Sequence, residues 1–203
     1  MVPFDLLLAF SGFAFASSIT PGPNNIMLMT SGVNFGFNRS IRHIAGVVAG
    51  FYVMLLLVGF GVGQLLQANP DLYLALKILS VVYLLWLAWR VANSGAVKPQ
   101  GGEERARPIN FLEAALFQWV NPKAWTMAIT TAAAYTVPDN YESSLLVICT
   151  VFVIVGAPCM IAWNIFGVGM RSFLQNQTRV RVFNITMAVL LVLSFLPVVL
   201  GVF

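Results

Sequence analysis

The sequence predicts an all-α integral membrane protein of six transmembrane helices, arranged as two inverted three-helix repeats with the first helix of each half broken. Three observations carry this. Of 203 residues, 59% are hydrophobic and only 9% charged, and mean hydropathy is +0.86, whereas soluble domains are about 25% charged. Apolar runs at 4–33, 44–66, 72–92, 111–134, 144–169 and 183–202 are each of bilayer-crossing length. The first run of each half is interrupted by proline beside asparagine, at Thr20-Pro21-Gly22-Pro23-Asn24-Asn25 and at Gln118-Trp119-Val120-Asn121-Pro122-Lys123-Ala124-Trp125.

The runs lack the apolar–polar alternation of membrane-spanning strands, so each is read as helix. In the first, Leu6–Phe10 leading to Ala14-Phe15-Ala16-Ser17 resembles a signal-peptide core and cleavage site. It lacks a basic leader, and a retained first span is expected. The second run carries Gly46-x-x-x-Gly50 and Gly59-x-x-x-Gly63, spacings that let helices approach closely. The third begins with Lys77, placed to snorkel outward, and ends in Tyr83–Trp89 above Arg90, an aromatic belt. Asp5 and Glu113 lie near span ends and are expected to reach the interface. The fifth run holds Cys149 and Cys159, read as small buried residues, and Asn164, read as a polar contact between helices.

Charge sets the direction of the runs. The connections 34–43, 90–110 and 171–182 contain every Lys and Arg except Lys77 and Lys123. The connections 67–71 and 135–143 contain Asp71, Asp139 and Glu142 and no basic residue. The positive-inside rule then places the basic loops in the cytoplasm and both termini outside. It also accounts for the sequence pI near 9.4 without nucleic acid as a partner. The longest basic loop, 95–110, with Gly95, Pro99, Gly101 and Gly102, divides a single transporter domain (1–203) into halves 1–94 and 111–203. Three spans is an odd number, so the second half is inverted relative to the first.

The breaks carry the chemistry. Pro21 and Pro23 lack backbone N–H groups and clash with the preceding turn, and Gly22 adds backbone freedom. Asn24 or Asn25 is expected to cap the half-helix that follows, whose free N–H groups and positive dipole end suit a carboxylate. A structural kink, with the asparagines bonding neighbouring helices, is the alternative. Lys123 lies about a dozen residues into its run, roughly 18 Å along a helix, where a charge marks function by default. It could pair with a substrate carboxylate, titrate in proton coupling, or cap carbonyls freed by Pro122. Gln118 precedes Asn121 and Pro122 by about one turn, and Trp125 could wall the pocket. His43, beside Arg39 and Arg42, is read as interfacial, although an imidazole also suits a proton sensor.

No enzyme site is apparent: one histidine, no carboxylate pair within a run and no metal-ligand spacing. Neither a cofactor nor a metal is expected. A thiol relay would want one reactive cysteine per half, and both lie in the fifth run. The rival classes are a channel, which would conduct without counterflow, and a membrane enzyme or thiol carrier. Partners are the bilayer and a small-molecule substrate; self-association is left open.

Thr20-Pro21-Gly22-Pro23-Asn24-Asn25, then Gly36-Phe37, Arg42, Ala45-Gly46 and Gly50-Phe51, then Tyr83-Leu84 and Trp86-Leu87-Ala88-Trp89, then Phe117-Gln118 and Asn121–Trp125 together resemble the LysE/RhtB superfamily of bacterial amino-acid exporters. The double asparagine and Trp86–Trp89 are most similar to its cysteine/O-acetylserine exporter branch. The resemblance implies proton-driven export of a small amino acid or derivative across the bacterial inner membrane, and the paired breaks in oppositely oriented halves imply alternating access around a site between them. Ser80, Val81 and Val82 stand where the family commonly has Gly or Ala, so tight packing there is not implied. The expected substrate-binding residues are Pro21, Gly22, Pro23, Asn24, Asn25, Gln118, Asn121, Pro122, Lys123 and Trp125.

Overall fold

A computed structural model describes residues 2–93, 107–174 and 176–193. Gly95, Lys98, Pro99, Gly101, Gly102 and Arg105 of the long basic loop, and 194–202 of the sixth apolar run, lie outside the described residues. Among the described residues the chain is helical, without strands. The elements are α1 (Phe4–Ile19), α2 (Pro23–Phe35), α3 (Phe37–Leu57), α4 (Gly63–Ala68), α5 (Pro70–Ala92), α6 (Phe111–Phe117), α7 (Pro122–Ala134), α8 (Tyr141–Met170) and α9 (Gln177–Leu193).

By length and composition three stretches can cross a membrane: Phe37–Leu65, Pro70–Ala92 and Pro138–Met170. The pair α1 and α2, bent by 55° at residues 20–22, passes the same test as a fourth, broken span. The second break is also present: a 3-10 turn, Gln118–Val120, and the extended Asn121 separate α6 from α7.

The exterior is rich in large apolar side chains, and the mostly apolar interior also holds polar ones. Asn25, Ser31, His43, Gln118, Asn121, Asn164 and Asn184 are buried, while Leu8, Phe15, Val53, Ile154, Phe166 and Val189 are exposed. With lipid as solvent there is no penalty for that exterior, and Asn25, Ser31, His43, Gln118 and Asn164 bond between helices. Helix α8 is central and packs against α1, α2 and α3, with α6 on α3 and α9 on α5.

Glycine sets the closest approach. A Cβ on Gly32 of α2 would strike the Asn164 carbonyl and the Val168 amide of α8, and one on Gly167 would strike the Met29 backbone. These two backbones touch, a contact the GxxxG spacing did not indicate. Gly46 and Gly50 do pack as expected, against the backbone of Phe111 and Ala115 in α6. Gly59 also packs closely, under the Leu145 side chain of α8, and lies in a π-helical turn, Val58–Val62, with Gly61 at φ 113°. The turn leaves the Gly59 carbonyl open to Tyr141, whose hydroxyl donates to it at 2.7 Å.

Candidate functional site

A helix that ends inside a bilayer exposes its last carbonyls, and each needs a donor from the protein. The C-terminus of α1 has one for every carbonyl. Ala16 accepts from the Thr20 amide at 3.2 Å and Ser17 from the Thr20 hydroxyl at 3.1 Å. The Asn25 carboxamide donates to Ser18 at 2.9 Å and to Thr20 at 2.7 Å. Trp163 of α8 donates its Nε1–H to Ile19 at 3.1 Å. Lys123 of α7 completes the set: its Nζ donates to the Thr20 carbonyl at 2.7 Å and Oγ1 at 3.0 Å, with the Pro21 carbonyl at 3.5 Å.

Lys123 therefore caps a broken helix, but of the other half: the carbonyls are those freed by Pro21 and Pro23, not by Pro122. An ammonium at the negative end of the α1 dipole is favourably placed. Gly22 gives it room, since a Cβ there would sit 2.9 Å from Lys123 Cδ.

The expected cap of α2 is corrected. Gly22 is its N-cap and offers no side-chain bond; Asn24 and Asn25 lie inside the first turn, because Pro23 with its fixed φ already starts the helix. Asn25 turns back to α1, and Asn24 reaches across to the other half. Its Nδ2 donates to Gln118 Oε1 at 2.8 Å and its Oδ1 accepts from Gln118 Nε2 at 3.2 Å. Gln118 Nε2 also donates to the Ala114 carbonyl at 2.9 Å. Asn121 is a true cap, its side chain accepting from the Lys123 amide at 3.1 Å. Replacing Gln118 by Ala would leave the half-buried Asn24 carboxamide without this partner, at a cost of about 0.5–1.5 kcal/mol. A double-mutant cycle with Asn24→Ala, read by thermal unfolding, should recover much of that as coupling.

Between the two breaks lies a cavity. Gly22, Asn24, Asn25, Asn121 and Lys123 line it, as the sequence indicated. Pro21, Pro23, Gln118, Pro122 and Trp125 do not: the prolines shape the backbone and Gln118 stands behind Asn24. Trp125 is turned away, donating to the Trp119 carbonyl at 2.8 Å and meeting that ring edge-on. The rest of the lining comes from residues with no polar signature in sequence: Val47, Val48 and Phe51 of α3, Met127 of α7, and Phe152, Val153, Gly156, Ala157 and Met160 of α8. Ser17 and Ser18 also line it, and the buried Ser18 hydroxyl has no hydrogen-bond partner. Their position next to the break was the available signal. The lining contains one cation and no carboxylate.

His43 does not face the protein surface. It is fully buried, with its Nδ1 2.8 Å from Ser31 Oγ and its Nε2 unpartnered. Glu113 closes a capping box with Asn110 and pairs with Arg107 at 2.7 Å. Asn164 donates to the Leu28 carbonyl at 2.8 Å, bonding α8 to α2. Arg90 stacks over Trp86 at 4.9 Å from the ring centre. No group of ligands able to hold a metal occurs among the described residues.

Comparison with known proteins agrees with the motif reading. Residues 15–200 match the family described as LysE type translocator. The chain is 30% identical over 189 residues to the "Cysteine/O-acetylserine efflux protein" of Salmonella typhimurium (strain LT2), covering 92% of the chain and 94% of that protein. It is 31% identical over the same shares to the protein of that name from Escherichia coli (strain K12). A Klebsiella pneumoniae relative with the same name is 30% identical over 80% of the chain and 82% of its own length. No solved structure matches.

Proposed function

The chain belongs to the LysE type translocator family, and from that membership we propose that it exports a small neutral amino acid or derivative, cysteine or O-acetylserine included, from the bacterial cytoplasm. The relatives are named as efflux proteins, which fits a transporter and not an enzyme. The observation that carries the site is the Lys123 ammonium, reaching from the second half to the broken helix of the first, at the wall of a cavity lined with asparagines.

Lys123 holds a bond that a zwitterion can replace at both ends. The substrate carboxylate takes the ammonium from Thr20, helped by the open amides at the start of α2. The substrate ammonium then takes the released Thr20 and Pro21 carbonyls, the negative end of α1. Asn24, Asn25, Asn121 and the free Ser18 hydroxyl serve the remaining polar atoms. The side chain rests on Val47, Val48, Phe51 and Phe152. Substrate would thus exchange one cross-half contact for two, loosening the direct link between the halves as it binds.

The cycle is alternating access driven by the proton gradient. Six spans in two inverted halves, 1–94 and 111–203, joined by the cytoplasmic connection 95–110, give the two breaks opposite orientations around one cavity. Both termini then lie outside, as the basic residues of alternate connections require.

Counterflow in vesicles containing the purified protein tests this. Labelled neutral amino acids should exchange, whereas their methyl esters and N-acetyl forms, each lacking one charge, should not compete. If no amino acid exchanges, the export reading fails. Cys149 and Cys159 are buried and free, and Cys159 only donates to the Val155 carbonyl of its own helix. Replacing both with alanine is expected to leave counterflow intact; its loss would favour a thiol carrier.

A further inference from the structure

The buried His43–Ser31 pair has no part in the site above, and its surroundings are unusual. His43 is the only histidine of the chain, fully buried, and keeps one ring nitrogen without a partner. Buried polar atoms are nearly always bonded, so an exception asks for a reason. The pair joins α3 to α2; both helices line the substrate cavity further along, and α2 also lines a second cavity at Ser31 itself. Toward one side, α2 offers Asn24 and Asn25 and α3 offers Val47 and Phe51 to the substrate cavity. Toward the other, Thr30 and Ser31 line a second cavity with Arg90 and Arg107, at the arginine-bearing end. Ser31 therefore touches that cavity with one face and His43 with its hydroxyl.

Resting on the exporter reading, we infer that His43 is the residue that carries the coupling proton, and that Ser31 is its outlet to the cytoplasmic cavity. With the cycle open outward, a proton from external water forms an N–H bond at the imidazole, giving imidazolium. Open inward, the Nδ1–H bond breaks and its proton passes to Ser31 Oγ, while that hydroxyl gives its own proton to cavity water. Imidazole returns to neutral, and one proton has crossed.

Full burial opposes a charge on the ring in this conformation, so protonation belongs to the opened state, and the charged groups around the ring are these. Helix α2 has no ionisable side chain. Glu113 of α6 supplies the charge that acts on the ring and is itself paired with Arg107. Helix α7 brings Lys123, held at Thr20. Helix α8 brings Cys149, Cys159 and, in its first turn, Glu142. On α3 itself Arg39 and Arg42 are exposed, Arg39 lying over the Phe35 ring.

The test separates exchange from driven transport in the same vesicles. His43→Gln can still bond Ser31 but cannot hold the proton. It should retain the parent's counterflow, lose accumulation driven by an imposed pH gradient, and lose the pH change that substrate evokes in vesicles loaded with a pH dye. Ser31→Ala should keep counterflow and slow the driven mode. The inference is overturned if His43→Gln still accumulates substrate against the gradient, if both variants lose counterflow and driven transport together, or if the parent exchanges amino acids but moves no protons. In that last case the exporter reading stands; a parent that exchanges no amino acid sinks the exporter reading and the inference with it.

Discussion

Lys123→Ala is expected to weaken substrate binding by about tenfold to a hundredfold, on the basis of the roughly 1.5–3 kcal/mol carried by a hydrogen bond to a charged group. The loss should appear as a raised half-saturation concentration in counterflow. The protein should still insert and purify as a single species, because the Thr20 carbonyl keeps its bond from Asn25 at 2.7 Å. The Thr20 carbonyl loses one of two donors, and the Thr20 hydroxyl and the weakly held Pro21 carbonyl lose their Lys123 contact. A well-folded Lys123→Ala protein with the parent's half-saturation would remove the residue from the site and leave it as a helix cap alone.

The second large effect concerns the α2–α8 contact and is a matter of sign. In an exposed helix position Gly→Ala ordinarily stabilises, by up to about 1 kcal/mol. Gly12 and Gly169 have open space where a Cβ would go, so alanine there should raise the melting temperature in detergent or leave it unchanged. At Gly32 and Gly167 the same methyl would meet backbone atoms of the opposite helix. Backbone cannot rotate aside as a side chain does, and overpacking of this kind costs about 1–3 kcal/mol or more. Alanine at either position should therefore lower the melting temperature and reduce transport, because α2 and α8 both line the cavity. Equal melting of the Gly167→Ala and Gly169→Ala proteins would show that the helices do not touch as described.

The features legible in the sequence were those carried by composition and by residues costly to place in lipid. Pro21, Pro23 and Pro122 located both breaks, since proline removes a donor wherever it falls. Lys123 and the asparagines marked the cavity, since buried polar groups must find partners. What remained illegible depended on which group meets which. The same amides can cap their own helix or another, and Asn25 turned backward because the α1 carbonyls needed a donor more than α2 needed a cap. Trp125 sits in the motif, but its N–H found the Trp119 carbonyl and its ring left the pocket. Gly32 and Gly167 lie in different helices at no shared spacing, so no pattern within one segment could pair them. His43 was read by its arginine neighbours along the chain, whereas its burial is set by α2 and α6 packing over it.

The Lys123–Thr20 contact joins residues 103 positions apart in the chain. During synthesis at about 5–20 residues per second, Thr20 leaves the ribosome roughly 5–20 s before Lys123. Throughout that interval the first break lacks Lys123, and Asn24 lacks Gln118. A polar, unfinished segment of this kind is poorly suited to lipid and is better kept at the insertion machinery until its counterpart arrives. The two halves should then enter the bilayer as one delayed event, and a chain truncated before Lys123 should be recognised by membrane quality control instead of accumulating as a half-transporter.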